Sequence, residues 1–225
     1  MKPFNLSKSD APVQKSNQVG FTLVELLVCI VIIGILTVLA FGTVGAVRKR
    51  AAKLGCANNL RCVGVAINLY TNENQGYLPG PVYVNIAHTA SYNYLTKQDK
   101  NLSLACYLIG YLIPGTPTGA LKSEIQVPAL MCPSYKYKAN ATADELTNNY
   151  KRPLDTVLPF GNDDNSGNPV LPKKLVSLPM LYNLPLSRIW AIVVADRALQ
   201  DGGANYLYFD GHVQWVRSGV DARNP

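Results

Sequence analysis

An unbroken apolar stretch near the N-terminus limits what this chain can fold into more than any other feature. Residues 21–47 contain one charged side chain, Glu25, and no proline. As a helix this stretch would reach about 40 Å, whereas the hydrocarbon core of a bilayer is roughly 30 Å thick. We therefore predict a membrane-spanning helix over residues 21–47. Three glycines would allow close approach of neighbouring helices: Gly34, Gly42 and Gly45.

The positive charge is concentrated on both sides of this stretch. The formal net charge is +7, and residues 1–20 hold three lysines against one aspartate. A basic cluster follows the stretch directly, at Arg48, Lys49, Arg50, Lys53 and Arg61. Such cations suit anionic lipid headgroups. The remaining chain is nearly neutral and has no basic stripe, so we expect no nucleic-acid partner.

Two simpler interpretations of the N-terminus explain less. A secretory signal has an apolar region of about 7–15 residues and a small residue at its cleavage site, such as Ala46 here. The observed stretch is much longer and follows 20 largely polar residues. A plain signal anchor fits the length but leaves Glu25 unexplained, because an acid in hydrocarbon costs roughly 2.5–3.5 kcal/mol. The alternative for Glu25 is that it reaches the membrane interface.

The segment Gly20-Phe21-Thr22-Leu23-Val24-Glu25 resembles the cleavage and methylation motif of type IV prepilins and type II secretion pseudopilins. The resemblance implies that a prepilin peptidase removes residues 1–20 as a leader, cutting after Gly20, and methylates Phe21. It also implies that Glu25, the fifth residue of the processed chain, sets the register between subunits by pairing with a neighbour's α-amino group. A single polar group sets register in coiled coils in a similar way.

The same resemblance implies a function. It describes a structural subunit, not an enzyme, that assembles with other pilin or pseudopilin subunits into a secretion pseudopilus or a pilus-like fibre. The expected location is the bacterial inner membrane, crossed once, with the head in the periplasm or otherwise outside the cytoplasm. The alternative is a membrane-anchored binding module that uses prepilin processing without polymerising.

The sequence after the apolar stretch predicts that the helix continues over residues 48–75. Apolar side chains recur at spacings of 4, 3, 4 and 3 residues, at Cys56, Leu60, Val63, Ile67 and Tyr70. This periodicity is typical of an amphipathic helix packed on a sheet. The helix should stop near residues 74–76, where Asn74-Gln75-Gly76 precede Pro79. Residues 76–225 then form the head, which gives an α+β fold with the helix packed on a C-terminal antiparallel sheet.

The C-terminal residues predict the strands of that sheet. Residues 189–195 form a continuous apolar run typical of a buried strand, and residues 206–209 and 212–216 flank Asp210-Gly211. Asp-Gly between such runs is a strong hairpin signal. We therefore predict a two-residue turn with positive φ at Asp210 and Gly211. Asn205 and Gln200 are predicted to satisfy backbone groups in the preceding loop.

A second, narrower resemblance covers scattered points of the chain. Residues 56–61 (CANNLR), residues 132–134 (CPS) and Asn205 with residues 210–213 (DGHV) resemble the planctomycete and verrucomicrobial pilin-like proteins. Their C-terminal motif is written H-x9-DG. The residue ten positions before Asp210 is Gln200 rather than histidine, so no role for that histidine carries over.

Candidate ligand sites in the head are few. Asp163, Asp164 and Asn165 are candidates for binding calcium, but they lack the spacing and terminal glutamate of an EF-hand, which favours a solvated loop. His88 and His212 are isolated in the sequence and support no catalytic triad. Asp210, His212 and Asp196 are an alternative ligand or ion site, set against a purely architectural hairpin. We expect no other cofactor.

The five cysteines contain no CxxC pair and no zinc spacing. Cys56 and Cys62 lie six residues apart on the predicted helix and should face away from each other, which excludes a disulfide between them. If one disulfide forms, the predicted pair is Cys106–Cys132.

Overall fold

The computed structural model describes residues 21–82, 85–86, 89–90, 103–116, 125–137, 150–153, 155–162, 169–194 and 202–224. The chain divides into two compact units, residues 1–45 and residues 46–225. Helix α1, Leu23–Glu73, begins in the first unit and ends in the second. Its composition explains its length, because aliphatic residues and alanine dominate and proline is absent.

In the first unit, the large apolar side chains of α1 are exposed from Leu23 to Val38. Within the described part of the chain, no helix has a hydrophobic run of the length and polarity that crossing a membrane requires. The membrane span over residues 21–47 stays a prediction.

Helix α1 ends through two consecutive residues with left-handed backbone. Gln75 has φ 55° and Gly76 has φ 84°, which turns the chain away from the helix axis. The Gly76 N–H donates to the Thr71 carbonyl at 2.9 Å, and the Asn74 side chain donates to the Tyr70 carbonyl at 2.7 Å. These bonds satisfy carbonyls that the helix leaves without partners. The end at Glu73 agrees with the predicted stop near residues 74–76.

The predicted apolar face of α1 is confirmed in the second unit. Cys56, Leu60 and Val63 are fully buried, Ile67 is nearly so, and Tyr70 packs against the core at its edge. Leu54, which lies on the opposite face, is 70% exposed. The spacing of apolar residues therefore identified correctly which face of the helix meets the rest of the head.

An antiparallel five-stranded sheet forms the other layer. Its order is β1-β4-β5-β6-β7. The strands are β1 Asn85–Ile86, β4 Tyr150–Lys151, β5 Trp190–Val194, β6 Gly203–Tyr208 and β7 Val213–Arg217. A separate pair joins β2 Thr89–Ala90 to β3 Ile125–Gln126. The three predicted C-terminal strands are confirmed, and the α+β architecture is consistent with a pilin fold.

The turn between β6 and β7 differs from the predicted two-residue turn. The loop has three residues, because the Tyr208 N–H donates to the His212 carbonyl and the Gly211 N–H donates to the Tyr208 carbonyl, both at 2.9 Å. Gly211 has φ 92°, whereas Asp210 is not among the residues with positive φ. This is a type I turn closed by a glycine bulge. Phe209 occupies the first loop position, where its ring is buried against Phe160 and its N–H donates to the Ile189 carbonyl at 3.0 Å.

Helix α1 crosses the sheet at β6. A methyl group placed at Gly64 would lie 2.8 Å from Leu207 Cδ1, so the close approach depends on glycine. Nearer the start of the second unit, the buried Asn205 side chain donates to the Lys53 carbonyl at 3.2 Å. The predicted contacts of Asn205 with the preceding loop stay a prediction, because residues 195–201 lie outside the described residues. Gln200 lies outside the described residues.

The remaining elements close the core on its other side. Helix α2, Leu104–Leu112, is capped by Ser103, whose hydroxyl accepts from the Ala105 N–H. Short 3₁₀ turns follow at Pro128–Leu130, Pro133–Tyr137, Leu175–Ser177 and Leu186–Arg188. The five-residue helix α3, Leu178–Tyr182, continues from the third of these turns.

The predicted disulfide Cys106–Cys132 is wrong. Cys132 is bonded to Cys56 of α1, across 76 residues of chain. Cys106 carries a buried thiol in the first turn of α2. Cys62 is exposed and does not pair with Cys56, as predicted.

Candidate processing and assembly site

The first turn of α1 contains a reciprocal set of hydrogen bonds around Glu25. The Thr22 N–H and the Thr22 hydroxyl each donate to Glu25 Oε2 at 2.8 Å. In return, the Glu25 N–H donates to Thr22 Oγ1 at 3.3 Å. Thr22 is the N-cap residue and Glu25 is the third helical residue, so the pair forms a capping box. The two residues therefore fix where the helix begins.

This geometry gives Glu25 a local partner. An acid near the start of an apolar helix is costly to bury, and hydrogen bonds from the cap offset part of that cost. A carboxylate in the first turn also interacts favourably with the positive end of the helix dipole. Both hydrogen bonds that Thr22 donates to the carboxylate use Oε2. The second carboxylate oxygen, Oε1, is therefore available to another donor.

The capping box lies at the boundary between polar and apolar chain. Phe21 directly precedes it and is 77% exposed, and Gly20 lies outside the described residues. Apolar side chains follow on all sides of α1, since the four consecutive residues 30–33 (Ile-Val-Ile-Ile) are each more than half exposed. A helix that is apolar all round needs a partner other than water.

Comparison with known proteins bears on this same segment. A family described as the prokaryotic N-terminal methylation motif matches residues 15–41. The matched residues contain Gly20, Phe21 and the whole capping box. This match supports a type IV pilin-like protein. Prepilin-peptidase processing, attachment to the cell envelope and pilin-type assembly are what the motif implies in general. No curated protein and no solved structure matches the chain.

The capping box itself was absent from the sequence predictions, although its signal is present. Thr-x-x-Glu directly before an apolar run is the usual signature of such a cap. The prediction gives Glu25 a partner in another subunit. Its nearest polar neighbour in the chain is Thr22, three residues earlier. The structure brings Thr22 and Glu25 together.

The other predicted site residues fall in two groups. The calcium candidates Asp163, Asp164 and Asn165 lie outside the described residues, as do Asp196 and His88. Asp210 and His212 are described and lie together in the hairpin. Among the residues that the structure describes, no group of three His, Cys, Asp or Glu side chains is arranged to hold a metal ion.

Asp210 and His212 form a compact pair at the tip of the hairpin. Asp210 Oδ1 lies 2.6 Å from His212 Nδ1 and accepts from the His212 N–H at 3.1 Å. The imidazole stacks on the Tyr208 ring at 4.3 Å between centroids. Every one of these contacts is local to the turn. The arrangement therefore stabilises the hairpin, and the third member of the alternative ligand site, Asp196, is not described.

A second polar cluster was not anticipated from the sequence. Asp155 Oδ2 accepts from the Tyr182 hydroxyl at 2.5 Å and lies 2.8 Å from Arg223 Nη2. Burial and this bond to Asp155 raise the pKa of Tyr182. The cluster ties the C-terminal tail to α3 and to the loop after β4. Its members lie 27 and 68 residues apart in the chain, so no local pattern could have indicated it.

Proposed function

We propose that the chain is a prepilin-like structural subunit. A prepilin peptidase cuts between Gly20 and Phe21 and methylates Phe21, and residues 21–47 anchor the product in the bacterial inner membrane. The processed chain then joins other pilin or pseudopilin subunits in a type II secretion pseudopilus or a type IV pilus-like fibre. The head lies in the periplasm or otherwise outside the cytoplasm.

The observation that carries this proposal is the methylation motif placed directly at the start of α1. The motif match covers residues 15–41, and the helix begins at Leu23. A peptidase that cuts after Gly20 would leave Phe21 as the first residue, followed at once by the N-cap Thr22. The new N-terminus would therefore be held close to the helix by the capping box.

Glu25 is the group that would set the register between subunits. Its Oε2 is used by its own cap, and Oε1 would accept from the methylated α-amino group of Phe21 in a neighbouring subunit. Methylation of an amine keeps its positive charge. Because a charge pair in a low-dielectric setting is much stronger than in water, mismatched registers would be penalised.

The disulfide supports an extracytoplasmic head. Cys56–Cys132 joins α1 to the turn at residues 133–137, and disulfides of this structural kind form and persist mainly in oxidising compartments. With residues 21–47 in the membrane, that location requires the N-terminus on the cytoplasmic side.

Three variants of the capping box separate its roles. Glu25→Gln keeps the cap, because glutamine also serves at this position, but removes the charge. Thr22→Ala keeps the charge but removes the cap, at a cost of about 1 kcal/mol in helix stability. Glu25→Ala removes the charge and the two bonds to the carboxylate, whereas Thr22 Oγ1 can still accept from the N–H of residue 25. Each variant is expressed as the full chain, and membrane insertion and pelleted fibres are measured separately.

The proposal predicts normal insertion in all three variants and lost fibres in both Glu25 variants. Thr22→Ala should still form fibres, in reduced amount. Fibres from Glu25→Gln at the level of the unmodified chain would show that only the cap matters and that the register role is wrong. A chain that inserts and is processed but never forms fibres would instead support the non-polymerising binding module.

A further inference from the structure

The head presents an apolar knob on the segment that leads into α3. Val176 is 80% exposed and Met180 is 90% exposed, and they lie four residues apart on consecutive helical turns, which makes them neighbours. Leu181 beside them is half exposed. Leu178 is fully buried and anchors the segment from below. The buried Leu178 therefore holds the knob in place. The exposed apolar side chains of the knob form no hydrogen bonds with water, so burying them would be favourable.

The same unit contains an apolar groove between α1 and the end of α2. Its volume is about 660 Å³. Val65 and Leu69 of α1 line it although they are 60% and 45% exposed. The other lining residues include Cys62 and Pro114, which are exposed, and Ile113 and Ala129, which are half-buried. Contiguous exposed apolar surface of this kind typically marks an interaction site.

The charges beside the two surfaces are complementary. Lys174 lies next to the knob, with its ammonium group 4.8 Å from the centre of the Tyr77 ring. Glu73 lies at the rim of the groove, where the Tyr111 hydroxyl donates to its carboxylate at 2.5 Å. Tyr111 is itself a lining residue. Neither Val176 nor Met180 is among the described residues that line the groove.

We propose that the knob of one copy, Val176 and Met180, docks in the groove of a second copy beside Cys62, Val65 and Leu69. In a head-to-tail arrangement, where the groove of each copy receives the knob of a further copy, the contact is heterologous and can repeat into an open array. The proposed contact rests on the proposed function, because a contact this small stabilises an assembly only when it repeats between many copies in a fibre. Lys174 of one copy would then approach Glu73 of the next.

Cysteine cross-linking tests this contact directly, because the groove already contains an exposed thiol. Met180→Cys is introduced into the full chain with Cys29 changed to serine, so that the exposed thiol of the N-terminal unit cannot react. Membranes are oxidised, and products are separated without reductant. We expect a ladder of dimers and larger species joined through Cys62 and position 180.

Two controls decide whether the ladder reports the proposed contact. Adding Cys62→Ser to the Met180→Cys chain should abolish the ladder, since position 180 then lacks its partner. Val220→Cys places a thiol at an exposed apolar site in the C-terminal tail and should give no ladder. A ladder that persists without Cys62, or an equal ladder from Val220→Cys, overturns the proposal.

The same cells distinguish this inference from the proposed function. Fibres are sheared and pelleted in parallel with the cross-linking. Pelleted fibres without a bond between Cys62 and position 180 overturn the knob-and-groove contact and leave the subunit role intact. Absence of fibres from the unmodified chain counts against the subunit role itself. As a second measurement, Met180→Glu should reduce pelleted fibres, whereas Val220→Glu should not.

Discussion

The two parts of α1 have similar side chains and different surroundings. Before residue 39, side chains such as Ile33 and Leu36 are about 60% exposed. In the second unit, Leu60 and Val63 are fully buried against the sheet, while Leu54 on the opposite face is exposed. The first part is apolar on all sides and the second on one stripe. Apolar surface that stays exposed among the described residues needs a partner other than water, which is why we propose a membrane and a fibre as the surroundings of the first part.

The largest effect that tests this comparison is expected from truncating one buried leucine. Leu60→Ala should destabilise the head by about 2–5 kcal/mol, because it leaves a cavity in a fully packed site. Leu54→Ala, on the exposed face, and Ile33→Ala, in the first part, should each change stability by less than about 0.5 kcal/mol. Denaturant unfolding of the full chain in detergent measures all three. Similar losses for Leu60→Ala and Ile33→Ala would mean that the two parts do not differ as described.

A slightly smaller effect is expected from removing the disulfide. Cys132→Ser should cost about 2–4 kcal/mol, because the bond closes a long loop between α1 and the turn that follows Cys132. Cys62→Ser is the matched control on the same helix, and its exposed thiol should be dispensable for folding. Unfolding midpoints with and without reductant give the comparison. An unmodified chain that is insensitive to reductant would contradict the assigned pair.

High pH should also separate the two parts of the chain. Burial raises the pKa of Tyr208 to about 12, and it raises that of Tyr150 as well. Because the folded state holds the neutral phenol, this stability is complete below pH 10 and is lost as the pH rises from 10 through 12. For Tyr208 alone the loss is on the order of 2 kcal/mol.

The head should therefore unfold in alkali while the first part of α1 stays helical. No tyrosine precedes Tyr70 in the sequence, so the first part carries none of these groups. Circular dichroism at near- and far-ultraviolet wavelengths follows the two parts separately. Tyr208→Phe, which keeps the ring, should weaken the pH dependence. Simultaneous loss of all helix would contradict the division.

The smallest effects are expected at the hairpin. Gly211→Val should destabilise the head by about 1–2 kcal/mol, because φ is 92° at this position. Asp210→Asn should cost less than about 1 kcal/mol, since asparagine can still accept from the His212 N–H. Equilibrium unfolding measures both. If Asp210→Asn left the fold intact but removed a binding activity, the hairpin would be a ligand site and the architectural interpretation would be wrong.

Periodicity and turn chemistry predicted the parts of the fold that depend on local sequence. The buried face of α1, its end near Gly76 and the three C-terminal strands all follow from patterns within a few residues. Strands β1 and β4 have only two residues each, which is too short for an alternation of apolar and polar residues to predict them. Their position depends on pairing with each other and with β5, which is a tertiary effect.

The errors share one physical cause, which is contact between residues that lie far apart in the sequence. The partner of Cys132 depends on which face of α1 passes the turn at residues 133–137, and spacing alone does not give that contact. The bond from Asn205 to Lys53 spans 152 residues, so no local pattern predicts it either. In the turn at Asp210, Phe209 donates its N–H to the Ile189 carbonyl and packs its ring on Phe160, and both partners are distant in the sequence. The missed capping box is different, since Thr22 and Glu25 carry a recognisable local signal.

The mass of the mature N-terminal peptide tests the central claim most directly. The full chain is purified from membranes of cells that contain a prepilin peptidase, and its N-terminal peptide is sequenced by mass spectrometry. The account predicts a peptide that begins at Phe21 and carries one methyl group on its α-amino nitrogen, and retention of the leader in Gly20→Val. A mature chain that begins at Val47, after cleavage behind Ala46, or one that retains residues 1–20 without methylation would contradict it.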